Sequence, residues 1–244
     1  MPLGIDFAGL GIAGVVLAAV SALVLRWSGA SPGVARRLAG PPEVAVGRLL
    51  DEAELPERPV RVAGRIRCRD PLVSGDGERL VAFHRDVEVR IGRTWRSVER
   101  MRETRSFDLW DHDGSLALDL AAAAEPLITI PQVWRGSPEE LEEPHASAMA
   151  RLSERHGPAT EARAITRTIN VTDRLLVLAR PRVELPTAVR LEPPEGGYLV
   201  TNLALPDAMR LLGGPNRRAA AAAVVGVWVG VGLTVIGEIG RAHV

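Results

Sequence analysis

Two stretches of this chain show no alternation between apolar and polar positions. Phe7 to Leu25, FAGLGIAGVVLAAVSALVL, is uncharged and has Ser21 as its only clearly polar side chain. Ala219 to Gly237, AAAAAVVGVWVGVGLTVIG, is also uncharged. As a helix each would extend about 28 Å, close to the hydrocarbon thickness of a bilayer. A helix apolar on every side predicts lipid or core around it, not water. Gly226, Gly230 and Gly232 point the same way, since each costs roughly 1 kcal/mol against alanine in a water-exposed helix. Gly226-x-x-x-Gly230 has the small-xxx-small spacing of a helix packing face. The start, MPLGID, lacks a basic segment and carries Asp6, which argues for an uncleaved span over a signal peptide.

Between these ends the period changes. RPVRVAGRIRC, Arg58–Cys68, sets Val60, Val62 and Ile66 against arginines with the period of two that marks a half-buried strand. Gly64 inside it predicts a bulge or a close backbone approach. Ser74–Glu78 is turn chemistry, Leu80–Ile91 alternates again, and Trp95 with Val98 begins a partner strand. Phe107–Trp110 and Leu116–Leu120 flank DHDGS, a hairpin signal. Leu127–Val133, Arg163–Ile169 and Arg174–Ala179 continue the strand-like runs. Ser137–Gly157 reads as a helix with Ser137 as N-cap, Pro138 at the first position and Glu140 completing a capping box; Pro144 interrupts it. Leu205–Gly214 reads as a short helix stopped by glycines.

These elements predict an α+β fold: a membrane-anchored, antiparallel β-rich domain with one or two helices, flanked by two transmembrane helices. The expected order is a tail at 1–6, a transmembrane helix at 7–25, a Gly/Pro/Ser-rich linker at 26–42, a soluble domain at 43–214, a second transmembrane helix at 215–237 and a tail at 238–244. Arg26, Arg36 and Arg37 follow the first apolar stretch, and Arg210, Arg217 and Arg218 precede the second, whereas the tails carry only Arg241. Basic residues near membrane ends face the cytoplasm. That predicts a protein of a bacterial inner or cell membrane, its central domain cytoplasmic and both termini outside. The flanking arginines would also meet anionic headgroups, so the lipid bilayer is an expected partner.

Composition narrows the chemistry. Thirty acidic and thirty basic residues balance, so no field selects nucleic acid as partner. Every basic residue is arginine, which excludes lysine-based nucleophiles and a P-loop lysine. Cys68 stands alone, and the five histidines show no paired spacing. No metal site and no cofactor is expected. Asp111-His112-Asp113 is the most site-like cluster, suited by type to acid–base or metal chemistry, with Glu88 as a further acid. The competing explanation is a hairpin tip where aspartate and glycine serve turn geometry. Cys68, between arginines, is a candidate reactive thiol or an incidental strand residue. Glu139, Glu140, Glu142 and Glu143 read as a solvated helix face.

The order of these blocks resembles the GIDE family, whose soluble part is the BAM (beside-a-membrane) domain. VRVAGRIRCRDPLVS, Val60–Ser74, is similar to the family's glycine-containing strand before a Pro-Leu, and HRDVEVR with Trp95 to its next block. SFDLWDHDGSLALDL, Ser106–Leu120, resembles a Pro-Phe-x-Leu-x-Asp/His-x-x-Gly block, with Ser106 in place of proline. AITRTINVTDRLLVLAR, Ala164–Arg180, resembles a block in which Thr172 and Ala179 replace glycines, and Leu191–Leu212 resembles the membrane-entry segment. Eukaryotic members include a mitochondrial outer-membrane ubiquitin ligase with a C-terminal RING. That activity is not expected here: a RING needs eight Cys/His ligands, and EIGRAHV after the second apolar stretch has one histidine and no cysteine.

The resemblance implies a prokaryotic-type member without the RING. The expected function is a non-catalytic module that binds an unidentified membrane or cytoplasmic protein, or senses the membrane. The alternatives are an enzyme of unrecognised type using Asp111, His112 and Asp113, and a subunit of a larger membrane complex or oligomer joined through the glycine-rich spans.

Overall fold

A computed structural model describes residues 7–27, 31–51, 55–185, 188–214 and 217–242. The chain divides into two compact units, one made of residues 38–208 and the other of the two ends.

In the larger unit, five strands close on themselves. They are β2 (Val60–Arg67), β6 (Ser106–Asp111), β7 (Gly114–Asp119), β10 (Arg174–Leu185) and β11 (Ala188–Glu192). β2 pairs with β6, β6 with β7, β10 with β11 and β10 with β2, all antiparallel; β7 and β11 join in parallel at Ala117–Arg190. Numbered within the ring alone, the order is 1-2-3-5-4-1, a Greek-key closure. Two short strands lengthen the sheet: β1 (Glu43–Val44), parallel to β2, and β12 (Leu199–Thr201), antiparallel to β10.

Alternation fills the barrel. Val60, Val62 and Ile66 of β2 point inward with Phe107, Leu109, Leu116, Leu118, Leu175 and Val177. A short helix, α3 (Val46–Asp51), adds Val46 and Leu49 to this core. Gly64 marks the close approach anticipated from the sequence: a Cβ there would lie 2.8 Å from Leu109 Cγ and 3.0 Å from the Trp110 carbonyl oxygen. A small barrel turns its corners at such positions.

The second sheet is wholly antiparallel. β4 (Arg79–Ile91) pairs on one side with β3 (Leu72–Val73) and β5 (Thr94–Thr104), and on the other with β9 (Ala159–Asn170), which carries β8 (Gln132–Gly136). The helix α4 (His145–His156) packs Met149 and Leu152 against Val89, Ile91 and Ala162. Its start differs from the expected Ser137–Gly157 helix. Residues 138–140 form only a 3₁₀ turn, in which the Glu140 carboxylate accepts from the Ser137 N–H at 3.1 Å. The α-helix begins after Pro144, whose ring cannot sit in a helix interior, and ends at Gly157 with φ 96°.

The other unit holds α1 (Phe7–Trp27) and α6 (Arg217–Ala242), packed antiparallel. Gly14 and Gly230 meet at the crossing: a Cβ on Gly14 would lie 2.6 Å from the Gly230 carbonyl oxygen. Gly226 lies against Ser21, and the Thr234 hydroxyl donates to the Gly230 carbonyl at 2.8 Å. The Gly226-x-x-x-Gly230 spacing is thus a packing face used within one chain.

Two expectations are corrected here. Among the described residues, no helix is long and apolar enough to cross a membrane. That overturns transmembrane helices at 7–25 and 215–237, and with them the membrane-anchored fold class, the membrane localisation and the topology with outward termini. A span needs about 20 consecutive apolar residues. The β-rich domain is present, but it is a closed barrel beside a second sheet, with six α-helices along the described chain in place of one or two flanked by spans. Two of the six are α2 (Ser31–Ala39), where a linker was expected, and α5 (Leu205–Gly213). In α2, Pro32 at the first turn is compatible with a helix, and Leu38 is fully buried. Residues 1–6 of the expected outer tail lie outside the described residues.

Candidate functional site

The Asp111-His112-Asp113 cluster sits at the tip of the β6–β7 hairpin, as its turn chemistry suggested. Asp111 Oδ1 accepts from the Asp113 N–H at 2.9 Å and the Gly114 N–H at 3.2 Å. Its other oxygen accepts from the Val46 N–H, 3.3 Å away at the start of α3. One side chain therefore closes the turn and holds the helix N-terminus to the hairpin, the arrangement that a helix dipole favours. Gly47 and Gly114 make the approach possible: a Cβ on Gly47 would collide with Asp113, and one on Gly114 with Leu50. His112 is exposed, with Nε2 3.6 Å from Asp113 Oδ1. The three side chains do not converge on a common point, and among the described residues no group of three His, Cys, Asp or Glu could hold a metal ion.

Glu88 lies on the other sheet. Arg163 Nη2 is 2.6 Å from its carboxylate, and the same guanidinium stacks on Trp95 at 4.0 Å. Cys68 is half-buried, its Sγ 3.7 Å from the Ser106 carbonyl oxygen. Glu139 and Glu140 belong to the 3₁₀ turn, and the Glu143 carboxylate accepts from the Ser147 hydroxyl at 2.7 Å. Of the basic residues picked out by their positions, Arg36 and Arg37 occupy the last turn of α2. The side chains of Arg26, Arg217 and Arg218 lie outside the described residues.

What the hairpin tip does border is an open groove with a cavity volume of about 970 Å³. It runs over β1, β2 and β6, with Arg65, Arg174 and Trp110 along it and Glu43, His112 and Thr172 at its margins. In register, Arg65 lies directly across from both Trp110 and Arg174. A second, shallower depression of about 520 Å³ continues over β2, β6 and β7, carrying Arg67, Arg69, Arg105 and Arg190. Arg67 joins the two by stacking over the Trp110 ring at 4.9 Å. Charges are balanced: two arginines and three carboxylates line the first groove, four and three the second. Sequence reading missed this surface. The signal was the outward phase of Arg65 and Arg67 on β2, but that they share a face with Trp110 depends on strand register.

One further polar cluster lies on the second sheet. His84 is buried, and its Nδ1 has no hydrogen-bond partner. Arg102 and Arg167 stand directly across from it on the neighbouring strands. Arg102 donates to Asp86 Oδ1 and to Glu125 Oε1, each at 2.7 Å. That hydrogen bond holds the Glu125 carboxyl below the usual carboxylate range. Burial, reinforced by Arg102, pushes His84 down to about 4, so the imidazole is neutral near pH 7. Arg102 on β5, Asp86 on β4 and Arg167 on β9 pair across three strands as a structural ion network does, and His84 Nδ1 stays outside that network.

No family model, no curated protein and no solved structure matches the chain.

Proposed function

We propose that the chain is a non-catalytic binding module that engages a segment of a protein partner along the outer face of its barrel, at Arg65, Trp110 and Arg174. The observation that carries this reading is the groove itself. It is open, with a cavity volume of about 970 Å³, and it presents an aromatic ring flanked by guanidinium groups. Arginine and tryptophan are the residues that anchor protein interfaces most often. The balance of arginines and carboxylates favours a partner of mixed charge over a polyanion. Small Greek-key barrels of the OB type bind extended ligands on comparable outer strands, an analogy of architecture alone. The roles of Asp111 support the same reading, because the acid most suited to chemistry is committed to backbone N–H groups.

The test places a photo-crosslinking amino acid at Thr172 in the intact chain in its native cells. The expected result is one discrete adduct with another protein, lost in both Arg174→Glu and Trp110→Ala. Adducts that persist in both variants, or no adduct at all, would remove the groove as a binding site.

A further inference from the structure

The outer face of the barrel carries an arrangement that folding alone does not favour. Arg65 of β2 stands directly across from Arg174 of β10, and both are exposed. Like charges directly opposite on a sheet destabilise the pair. Elsewhere the chain answers the same conflict from within. Arg163 faces Arg135 and has Glu88 at 2.6 Å; Arg182 faces Arg190 and has Glu192 at 3.2 Å. Among the described residues, neither Arg65 nor Arg174 has a hydrogen bond or an ion pair. The acids close by are committed elsewhere. Asp111 accepts from three backbone N–H groups, Asp113 lies beside His112, and Asp173 accepts from the Asn170 N–H and the Asn202 amide. A local conflict left unanswered in the fold is the mark of a functional position.

The same row continues to Trp110, which lies across from Arg65 on its other side. Neighbouring strands are about 4.8 Å apart, so the midpoint of the arginine pair is about 7 Å from Trp110 along the row. In an extended chain, side chains at i and i+2 point the same way and lie about 7 Å apart. A segment crossing the strands along this row therefore sets residue i on the ring and residue i+2 between the guanidinium groups. Guanidinium forks match a carboxylate in shape and charge. Glu43, Asp111 and Asp113 at the margins of the groove repel a run of acids, which favours a single carboxylate.

We infer that the partner segment carries an aspartate or glutamate that sits between Arg65 and Arg174, two residues from an apolar or aromatic side chain stacked on Trp110. The inference rests on the groove being the binding site and adds the chemistry that the groove selects. The partner's carboxylate supplies in the complex the neutralising charge that Glu88 and Glu192 supply within the chain.

A random-peptide display library panned against the full chain and against its Trp110→Ala variant tests the two readings separately. Peptides retained by the full chain and lost on Trp110→Ala should share an acidic residue two positions from an apolar or aromatic one. Shared peptides without that acid overturn the inference and leave the groove standing. No Trp110-dependent peptide at all removes the groove, and the inference with it. The enriched peptide is then measured by fluorescence anisotropy in three forms: with its acid, with the matching amide, and with phosphoserine in that place. The amide form should bind the full chain about tenfold more weakly than the acid, and the two should bind alike to the Arg65→Gln, Arg174→Gln double variant. A preference for the acid that survives in the double variant overturns the inference. So does phosphoserine bound more than about tenfold tighter than the acid, which would assign the pair to phosphate. Without any partner, the double variant should unfold at a urea midpoint no lower than the wild type, because it loses a repulsion. A lower midpoint would give the two arginines a structural role and overturn the inference as well.

Discussion

The barrel and the helical hairpin are both built from apolar residues, yet they use them in opposite ways. In the barrel, apolar residues alternate with arginine and aspartate. Val60, Val62 and Ile66 fill the inside of β2, while Arg65 and Arg67 stand outside. In the hairpin nothing alternates. The helices choose their contact face by size, so Gly14, Gly226 and Gly230 face inward and the larger valines outward. A barrel sorts residues by polarity because its two faces meet different surroundings. A glycine-lined helix pair sorts them by volume, because close backbone approach is its main gain.

The largest effect expected from this contrast is on the barrel core. Leu109 is fully buried opposite Gly64, so Leu109→Ala removes packed methyl groups and leaves a cavity. It should cost about 2–5 kcal/mol in urea unfolding followed by near-ultraviolet circular dichroism. Val16→Ala, a comparable truncation on the outer stripe of α1, should leave that transition in place. If it lowers the transition as much, the two regions are not the independent units described here.

The next effect is set by His84. Its folded-state pKa of about 4 lies below the ordinary histidine value of 6.5, so the unfolded chain takes up the proton first. The contribution to stability is complete above about pH 6.5, falls as pH drops through the window between, and is gone near pH 4. It amounts to about 3 kcal/mol at 1.36 kcal/mol per pKa unit. Release of Glu125 from Arg102 adds to the acid loss in the same direction. Urea midpoints measured from pH 7.5 to 4.5 should show the slope, and His84→Gln should flatten it. An unchanged slope in that variant would place the acid sensitivity elsewhere.

A smaller effect separates structure from chemistry at the hairpin tip. Asp111→Ala removes the acceptor for the Val46, Asp113 and Gly114 N–H groups and should cost about 1 kcal/mol. His112→Ala touches an exposed side chain and should change stability by less than about 0.5 kcal/mol. Thermal unfolding of the two variants side by side reads the difference; equal losses would contradict the capping role of Asp111.

Much of the larger unit was legible in advance. Strands β2, β4, β6, β7, β9 and β10 follow runs in which apolar and polar residues alternate, because a half-buried strand imposes that period on its own residues. The DHDGS turn and the close approach at Gly64 were legible for the same local reason. The closure of five of those strands into a barrel was not, since it depends on β10 pairing with both β2 and β11, more than a hundred residues from β2 in the chain. The break at Pro144 was signalled by the residue itself. The helix α2 was not, because a Gly/Pro/Ser-rich composition hid an apolar position, Leu38, that only burial rewards.

The hairpin shows where sequence reading went wrong. Two uncharged stretches predict spans by their length, their lack of a polar stripe and their flanking arginines, yet among the described residues no helix is long and apolar enough to cross a membrane. The small-residue spacing was real, but the sequence could not say whether its partner lay in the same chain. The candidate site repeats the pattern. Asp111, His112 and Asp113 were found by residue type, whereas the groove beside them, with Arg65, Trp110 and Arg174, exists only once β2, β6 and β10 lie side by side.

By itself, the sequence determined which side of each strand is apolar, where turns and proline breaks fall, and which catalytic chemistries lack their residues. These are local matters, settled by one residue and its near neighbours. The tertiary structure alone decided which strands meet, that Asp111 caps a helix some sixty residues earlier in the chain, and that Gly14 faces Gly230. Each of these needs two distant segments to be brought together, and their contact energy is written in neither segment alone.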